Sequence, residues 1–587
     1  MDTSIIQSDY IYTKPAKCRD CYSCLKSCPV KAIKIKDGQA YIIDERCIHC
    51  NICAQNCAQK AIVYKNDKDK FYALQRSGKK LAISIAPSFS SICARWEIER
   101  FPSALRRLGA SFVSTTSLAA YKVAKDTMQI VKDNPNKSYV ASLCPTVINY
   151  IEKYRPELID YLMPIANPYI VHSRWIRQRF GEDISIVHID SCIANKMEIL
   201  RPEFVGLLDV VLSYAELREI FDEQEVSLQT CEESQFDEDA GGAGRMYQLV
   251  GGLSATIGDC VSLLETKRLP ISGFMDINNA LEYVKLSSGV LVEPLFCYKG
   301  CINGPGMHVK NNIFERQKEI IEYINSHTSE KSEIDPLDNI DTSRTFCKTN
   351  VLQRSEYTSE QISKVLAKTG NPNPETRPNC FSCGYHACSD QAIAVLNDMA
   401  ELEMCIPYMR YYAEEQSKCI LNSSPNGIVT IDNKYRIKSM NPTFRTMFRT
   451  TDSVIGKHIS AIIDSEPFEN LLTNNLERYE STVRFDKFGI VCFEIIYRLP
   501  EDDSLVGMFV NITKNISDEE HLDKLRHKTL EQATELLAQQ TIMATSIAKI
   551  IGENTAYSES LLENLMKFTQ HDIVHNDPTN KINDWMM

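Results

Sequence analysis

Two cysteines, Cys297 and Cys301, lie one helical turn apart in the segment FCYKGCINGPG at residues 296–306. Thiolates at this spacing can hold two corners of a metal cluster, while the glycines that follow let the backbone fold closely over it. Buried free thiols at the end of a core strand would give the same pattern. Two further cysteine segments, SLCPTVINYIEKYRPEL around Cys144 and DSCIANKMEILRPE around Cys192, favour the cluster.

The first 70 residues contain an internal repeat of the spacing C-x2-C-x2-C-x3-C. Three thiolates on a tight loop cap one face of a cubane, and a fourth from the other repeat closes it. This predicts two [4Fe-4S] clusters, the first held by Cys18, Cys21, Cys24 and Cys57 and the second by Cys47, Cys50, Cys53 and Cys28. Zinc is the alternative, but the doubled spacing is far more specific for iron–sulfur clusters.

The repeat resembles a bacterial two-cluster ferredoxin module, with Ala58 where the first copy has Pro29. That change alters a turn but removes no ligand. His49 lies inside the second loop. Because the cysteine set is already complete, we expect His49 to lie beside the cluster or at the surface rather than to bind it.

The segments around the later cysteines, together with LRRLGASFVSTTSLAA and DVVLSYAELREI, run in the order found in the large-subunit domain of iron-only ([FeFe]) hydrogenases. The resemblance covers roughly residues 80–325. It implies that Cys144, Cys192, Cys297 and Cys301 carry a [4Fe-4S] cubane, one of them bridging to a di-iron centre. Short apolar runs such as LAISIAPS, SIVHID, VVLS and GVLVEPLF alternate with helical stretches, which predicts an α/β domain with parallel sheets and cluster residues on loops at strand ends.

This region departs from the family's motifs at positions that serve turnover. Leu143 stands where active members have a proton-relaying cysteine. Asp190 and Ser191 replace Met-Pro, and Asn195 replaces the lysine that contacts a cyanide on the distal iron, although Lys196 remains. We assign no catalytic residue. The departures favour a sensor or a slow enzyme, and leave open whether hydrogen is turned over.

A third cysteine pattern, Cys380-x2-Cys383-Gly-Tyr-x2-Cys388, is followed by Cys405 after a helix. It resembles the small [4Fe-4S] domain of corrinoid iron–sulfur proteins and of redox-complex subunits, so these four cysteines are predicted to hold a fourth cluster. Zinc is the alternative, but the helix-borne fourth cysteine favours a cubane. His386 lies within the pattern, yet four cysteines suffice without it.

The segment from residue 418 onward, with a strand at Gly427–Ile431, a turn at residues 432–433 and Asn441-Pro442 starting a helix, resembles a PAS domain. Its later strands alternate as expected for a half-buried antiparallel sheet. No haem or flavin signature is present, so we expect a dimerisation module with an empty pocket. We expect His458 at the surface or in a turn, and Cys419 and Cys492 as core thiols.

The last segment predicts a helix. Its apolar stripe has 3-4 spacing and runs through Leu530, Ala533, Leu537, Gln540, Ala544, Ile547 and Ile551. The stripe fits a short coiled coil or a lone helix that folds back on the PAS sheet. No kinase, phosphatase, DNA-binding or nucleotide-binding motif is recognised, so any output passes through another protein.

The 587 residues are too many for one core. We predict a multidomain α/β and α+β chain with domains at 1–70 (two-cluster ferredoxin fold), 71–345 (hydrogenase-like), 346–412 (small helical iron–sulfur domain), 413–518 (PAS) and 519–587 (C-terminal helix and tail).

The net charge of -12 argues against nucleic acid and anionic membranes as partners. No 18-residue apolar run and no secretory signal are found, and clustered cysteines indicate a reducing cytoplasm.

This modular order resembles the sensory iron-only hydrogenases of anaerobic bacteria, which accompany regulatory phosphatases or kinases. The resemblance implies a redox or hydrogen sensor with about four [4Fe-4S] clusters, a ferredoxin-like redox partner, a regulatory phosphatase or kinase as output, and a homodimer through the PAS domain and C-terminal helix. A di-iron subcluster is left open. Two alternatives remain: a slow ferredoxin-linked hydrogenase, and an electron-transfer adaptor that lacks the di-iron site.

Overall fold

The computed structural model describes residues 8–239, 242–256, 267–307, 312–326, 337, 339–348, 352, 355–370, 373, 375, 377–474, 476–499 and 504–513, with residues 528, 531–532, 534–536, 538–540 and 542–543 near the C-terminus. The chain forms two compact units, Met1–Met404 and Cys405–Met587. The division falls inside the region predicted as the small iron–sulfur domain, and the predicted domain boundaries stay predictions. None of the described helices is both long and apolar enough to cross a membrane.

The N-terminal cysteine repeat folds as two similar halves. Helices Ser23–Ser27 and Ile52–Gln55 each carry the third cysteine of their loop. The antiparallel strands are Ile33–Lys36 with Gln39–Ile42, and Ile11–Thr13 with Ile62–Tyr64. Left-handed backbone occurs at the same three positions of each half, namely Asp20 and His49, Tyr22 and Asn51, and Lys31 and Lys60. Because non-glycine residues rarely adopt this conformation, the matching positions indicate that both loops are folded around the same kind of group.

The hydrogenase-like region contains two parallel sheets. The larger has the strand order Ala110–Thr115, Lys80–Ile85, Ile184–Asp190 and Val210–Ser213, and the smaller Arg268–Ser272, Leu291–Leu295 and Tyr139–Val140. All strand pairs in both sheets are parallel. The carboxyl ends of each sheet's strands therefore meet at one edge, as the sequence predicts.

Both faces of the larger sheet are covered by apolar packing. Along the strand Lys80–Ile85, Ile83 and Ile85 belong to one hydrophobic cluster, while Ala82 belongs to another on the opposite face. This explains why the strand reads as a continuous apolar run rather than an alternating one. Helices Phe101–Arg107, Tyr214–Glu223 and Ile313–Ser326 pack in the first cluster, and helices Ser117–Asp133 and Pro168–Phe180 pack in the second. Helices Pro145–Tyr154 and Phe274–Leu286 pack instead with the smaller sheet.

The last part of the first unit is helical. The helix Ser359–Lys368 is capped by Thr358, whose side chain accepts a hydrogen bond from the backbone N–H of Gln361. A second helix, Cys388–Leu396, begins at a predicted cluster ligand. The two helices pack together through Leu366 and Ala392.

The second unit begins with the helix Ile406–Ser423 and continues into a five-stranded antiparallel sheet. In sheet order its strands are Ile437–Met440, Gly427–Ile431, Leu505–Asn511, Ile490–Arg498 and Arg478–Phe485. The other helices are Pro442–Met447 and Glu466–Thr473. The side chain of Asn441 accepts a hydrogen bond from Phe444 N at 2.9 Å, which fixes the predicted helix start.

One prediction for this unit is wrong. Cys492 is a core thiol as expected, but Cys419 is exposed, because the helix that carries it has no buried residue. His458 is exposed, in agreement with the predicted surface position, and it precedes the short 3₁₀-helix Ile459–Ala461. Of the predicted C-terminal stripe only Gln540 lies among the described residues.

Candidate metal centres

The four cysteines of the hydrogenase-like region line a single cavity of about 580 Å³. Cys144 caps the helix Pro145–Tyr154, Cys192 follows the strand Ile184–Asp190, and Cys297 and Cys301 follow the strand Leu291–Leu295. The two parallel sheets therefore deliver all four thiols from the carboxyl ends of their strands. The sequence-predicted set is brought together.

The glycines after Cys301 are needed for a close approach of two backbone segments. A Cβ atom on Gly304 would lie 2.6 Å from the carbonyl oxygen of Ser191, and one on Gly306 would lie 2.8 Å from the same atom. Gly306 N also donates a hydrogen bond to Ser191 O at 2.8 Å. The Gly-Pro-Gly turn thus closes the cavity against the loop that carries Cys192.

These four cysteines are half-buried in the cavity wall, and their surroundings favour the neutral thiol unless a cation compensates the negative charge of the thiolate. Burial, with the charges of Cys144 and Asp190, raises the pKa of Cys297 to about 12. Burial likewise raises the pKa of Cys192 and Cys301 well above the usual range, with Asp190 as the largest neighbouring charge. Iron coordination deprotonates such thiols and removes this penalty, so the soft donor set fits an iron–sulfur cluster.

The departures from the family motif lie in the cavity wall. Leu143 lines the cavity beside Cys144 and offers no ionisable group. Asp190 is buried there and accepts hydrogen bonds from Ser191 N at 2.6 Å, Asn195 Nδ2 at 2.8 Å and Gln248 Nε2 at 2.9 Å. The wall therefore holds a fixed carboxylate. Gln248 was missed by the sequence reasoning because no local motif marks it.

Lys196 does not replace the lost lysine at the cavity. Its ammonium lies 2.7 Å from Asp67 Oδ2 and 2.9 Å from Glu216 Oε1, with all three side chains almost fully buried. Only Asn195 of this pair lines the cavity. Lys196 is therefore an internal ion-pair residue that joins three segments distant in sequence.

The first ferredoxin set surrounds a second cavity. Cys18, Cys21, Cys24 and Cys57 all line a space of about 390 Å³. Burial, followed by the charge of Cys21, raises the pKa of Cys24 to about 12, and Cys18 and Cys57 also contribute. Ala61 N donates to Cys57 Sγ at 3.2 Å. Backbone donors of this kind stabilise the thiolate form that a cluster requires.

The second ferredoxin set is more deeply buried. Burial raises the pKa of Cys53 well above its usual range, and the charges of Cys50, Cys47 and Cys28 add to the effect. Ala32 N donates to Cys28 Sγ at 3.3 Å, the counterpart of the contact at Cys57. The structure thus brings together the cross-paired set that the repeat predicts.

His49 is buried, which excludes the surface position that the sequence left open for it. Its Nε2 lies 3.1 Å from Asp44 Oδ1, and its backbone N donates to Cys47 Sγ at 3.4 Å. The hydrogen bond from His49 is the main cause that lowers the pKa of Asp44 to about 2. His49 therefore lies beside the predicted cluster.

The second ferredoxin set adjoins the hydrogenase-like cavity. His49 and Cys50 line that cavity together with Cys297. Burial is the main cause that raises the pKa of Cys50, and the charge of Cys297 is among the further causes. The second ferredoxin set and the hydrogenase-like set are therefore neighbours in the structure.

The third pattern is placed in part. Cys380, Cys383 and Cys388 are neighbours, since burial and then the charges of Cys380 and Cys388 raise the pKa of Cys383. Cys405 caps the helix Ile406–Ser423 and is the first residue of the second unit. His386 is exposed and stacks on the ring of Phe381 with 4.6 Å between centroids.

Within the described part of the chain, no three His, Cys, Asp or Glu side chains are close enough to share one metal ion. A cubane does not require such closeness, because each thiolate binds a different iron. All sets offer soft sulfur donors. For the hydrogenase-like set and the first ferredoxin set, the fit to a cluster also rests on a shared cavity. For the two ferredoxin sets, it also rests on backbone N–H groups directed at sulfur.

Comparisons with known proteins agree with these three regions. A model of the C-terminal domain of the iron only hydrogenase large subunit matches residues 79–305. A 4Fe-4S dicluster domain matches residues 17–62, and a PAS domain matches residues 415–482.

Two curated proteins are similar over part of the chain. Iron hydrogenase 1 from Clostridium pasteurianum is 23% identical over 265 residues, which are 36% of this chain and 46% of that protein. Cytosolic Fe-S cluster assembly factor NAR1 from Vanderwaltozyma polyspora is 28% identical over 87 residues, 15% of this chain and 17% of that protein. The chain spans less than half the length of each.

Among solved structures, a variant of [FeFe]-hydrogenase HydA1 from Chlamydomonas reinhardtii is 15% identical with a TM-score of 0.37, covering 48% of this chain and 99% of that one. The PAS domain of an HTR-like protein from Haloarcula marismortui is 16% identical with a TM-score of 0.16, covering 18% of this chain and 94% of that one. By these matches, three stretches of the chain are similar to a 4Fe-4S dicluster domain, to the C-terminal domain of an iron only hydrogenase large subunit and to a PAS domain, in that order along the sequence.

Proposed function

We propose that this protein is an iron–sulfur redox or hydrogen sensor of the cytoplasm. The observation that carries the proposal is the cavity in which a complete set of four thiols is accompanied by Leu143 at the family's proton-relay position. A chain that kept its cluster ligands but lost its proton donor is suited to register electrons rather than to turn hydrogen over rapidly.

The residues of the cavity have separate roles in this proposal. Cys144, Cys192, Cys297 and Cys301 would hold a [4Fe-4S] cluster, which supplies reversible one-electron storage when bound. Leu143 excludes water and moves no proton. Asp190 places a negative charge beside the thiols and is held in position by its three hydrogen-bond donors.

The remaining parts provide input and output. The two ferredoxin sets accept or donate electrons, with a ferredoxin-like protein as external partner. The PAS domain is proposed to pass the redox state, through the C-terminal helix, to a regulatory phosphatase or kinase. Support for an output role comes from the combination of a PAS domain with redox domains in one chain.

Replacing the apolar relay residue tests the proposal. Leu143→Cys restores a thiol, and general acid catalysis typically contributes roughly 10²–10⁴-fold, so hydrogen turnover should rise by about 10²-fold or more. Leu143→Ala is the matched control, since it opens space without a proton donor and should leave turnover low. Wild-type turnover that equals that of dedicated hydrogenases, or equal rates in all three proteins, would contradict the proposal.

Infrared spectroscopy after anaerobic maturation separates the alternatives. Bands of iron-bound CO and cyanide would show that the di-iron subcluster is inserted and would support hydrogen as the sensed signal. If these bands are absent while all four cubanes are present, the protein is an electron-transfer adaptor without a di-iron site and not a hydrogen sensor.

A further inference from the structure

Residues 380–404 fold onto the ferredoxin module of the same unit. Five residues of this segment are buried in the apolar core that also contains cysteines of both ferredoxin sets: Tyr385, Ala394, Met399, Ala400 and Met404. Cys383 packs against the same core. The third cysteine pattern therefore packs directly on the ferredoxin module.

Polar contacts fix the register of this association. Ile35 N donates to Met399 O at 3.0 Å, and Asp37 N donates to Glu401 Oε1 at 2.9 Å. Lys34 forms an ion pair with Asp398. The segment thus binds along the ferredoxin hairpin through backbone as well as side chains, which specifies one relative position.

A close approach of the third cysteine pattern lies beside the turn that carries Cys24 and Cys28. Gly384 has φ +88°, and a Cβ atom there would lie 3.1 Å from Leu25 Cγ. Leu25 is fully buried and immediately follows Cys24, a ligand of the first set, while Cys28 of the second set ends the same turn. Cys383 is the residue before Gly384, so the third pattern directly abuts this turn.

A cation lies at the same junction. Lys31 Nζ donates to Leu25 O at 2.9 Å and lies 5.4 Å from the centroid of the Phe381 ring. Burial is the main cause that lowers the pKa of Lys31, and the charges of Cys28 and Cys383 are the next two causes, both acting in the opposite direction. The ammonium of Lys31 is therefore close to Cys28 of the second ferredoxin set and to Cys383 of the third pattern.

We propose that the centre formed by Cys380, Cys383 and Cys388 exchanges electrons directly with the ferredoxin module across the Leu25–Gly384 contact. The second ferredoxin set then connects the hydrogenase-like cavity on one side with this centre on the other. This inference rests on the proposed function for the presence of a cluster at the third pattern.

The step is a one-electron transfer between neighbouring clusters. The donor cluster is oxidised by one electron and the acceptor reduced by one, and no bond is formed or broken. The external reductant is a low-potential donor of the ferredoxin class, for which dithionite serves as the probe. From Met404 the chain continues directly into the second unit, so this centre is the last redox group before the PAS domain in the sequence.

The first experiment disrupts the contact and keeps every cysteine. Gly384→Val places a branched side chain against Leu25 in the anaerobic full-length protein. Gly78→Val is the matched control, since Gly78 also has positive φ, at +75°, but nothing lies within 4 Å of its Cβ position. We expect the dithionite-reduced wild type and Gly78→Val to show magnetic coupling between the third centre and a ferredoxin cluster in electron paramagnetic resonance. Gly384→Val should lose that coupling, and its third centre should be reduced at least about tenfold more slowly.

A second variant covers the case in which Gly384→Val also loses iron. Lys31→Met removes the cation at the junction, which should move the midpoint potentials of the third centre and the second ferredoxin cluster together to more negative values. Lys60→Met is its control, because Lys60 occupies the equivalent left-handed position of the other repeat, next to the first set. Lys60→Met should leave the third centre unchanged.

The inference would be overturned if Gly384→Val kept its full iron content and showed unchanged magnetic coupling and an unchanged reduction rate. It would also be overturned if Lys31→Met left the midpoint potential of the third centre unchanged. A wild type without a cluster at the third pattern would overturn it too. None of these measurements uses hydrogen, so failure of hydrogen sensing would leave the coupling result intact, and loss of the coupling would leave the hydrogen response to be judged separately.

Discussion

Replacing Lys196 by methionine should destabilise the hydrogenase-like region substantially. The ammonium lies 2.7 Å from Asp67 Oδ2 and 2.9 Å from Glu216 Oε1, and the three side chains are only 1%, 4% and 2% exposed. Methionine keeps most of the chain's volume but removes the charge. Two buried carboxylates then remain without the cation that compensates both.

Breaking a buried ion pair by removing one partner costs about 3–5 kcal/mol. The lower end is expected, because Lys70 lies 2.9 Å from Asp67 Oδ1 and Ser213 N donates to Glu216 Oε2 at 2.7 Å. A region of this size loses roughly 2–4 °C of melting temperature per kcal/mol, so a loss of about 3 kcal/mol corresponds to roughly 6–12 °C.

Scanning calorimetry of the anaerobic protein at one scan rate measures this shift. Lys318→Met is the matched control, because Lys318 pairs with Glu322 at 3.4 Å on the surface, with side chains 65% and 56% exposed. Surface pairs of this kind contribute about 0–1 kcal/mol. Equal shifts in the two variants would refute the assignment of Lys196 as a buried structural cation.

The pH dependence of the same shift has a defined sign. Burial raises the pKa of Asp67, but the charges and hydrogen bonds of Lys196 and, after it, Lys70 together outweigh burial, so the pKa is lowered overall. A carboxyl with a lowered folded-state pKa stabilises the fold above its unfolded pKa of about 3.9 and loses that contribution as pH falls through the folded value. The difference between wild type and Lys196→Met should therefore narrow on acidification from pH 7 to below pH 4, and a constant difference would contradict the argument.

Two further predictions concern the candidate metal centres, and a third concerns the C-terminal helix. Anaerobic iron and sulfide analysis should give about sixteen irons per chain for four cubanes, and about eight would reject the two later sites. Asp190→Asn should shift the midpoint potential of the hydrogenase-like cluster to less negative values, because its charge opposes added electrons. Asp160→Asn is the control, because Asp160 is exposed, and it should leave this midpoint potential unchanged. Equal midpoint potentials in Asp190→Asn and Asp160→Asn would contradict the role of the Asp190 charge. Replacing Leu537 and Ile547 together by Asp should abolish self-association or partner binding without loss of iron, and unchanged sedimentation and pull-down would remove the C-terminal helix as the output element.

Locally encoded features of the fold could be predicted from the sequence. The strands Ile184–Asp190 and Gly427–Ile431 are short β-rich runs bounded by turn residues, and both occur as predicted. The ferredoxin sets could be paired because each loop carries three ligands at fixed spacing, and the repeat supplies the fourth. Local spacing was sufficient in these cases because the interacting residues are close in the chain or repeat the same motif.

Features that depend on distant contacts could not be predicted in this way. Gln248 reaches Asp190 across 58 positions, and Lys196 pairs with Asp67 across 129. The docking of the third cysteine pattern on the ferredoxin hairpin joins residues 364 positions apart. Cys419 was wrongly assigned to a core because a thiol's burial depends on what its helix packs against, and the composition of the helix does not specify that.

Exposure of the whole anaerobic protein to hydrogen, followed by electron paramagnetic resonance, tests the sensor proposal most directly. We expect the clusters to become reduced under hydrogen and to stay oxidised under nitrogen, while steady-state hydrogen turnover remains very low. Cys192→Ser, which removes one thiol of the hydrogenase-like cavity, should abolish the response and leave reduction of the ferredoxin clusters by dithionite intact. The sensor proposal would be contradicted if a protein with its di-iron subcluster inserted gave identical spectra under the two gases. A response to hydrogen that persists in Cys192→Ser would contradict it as well.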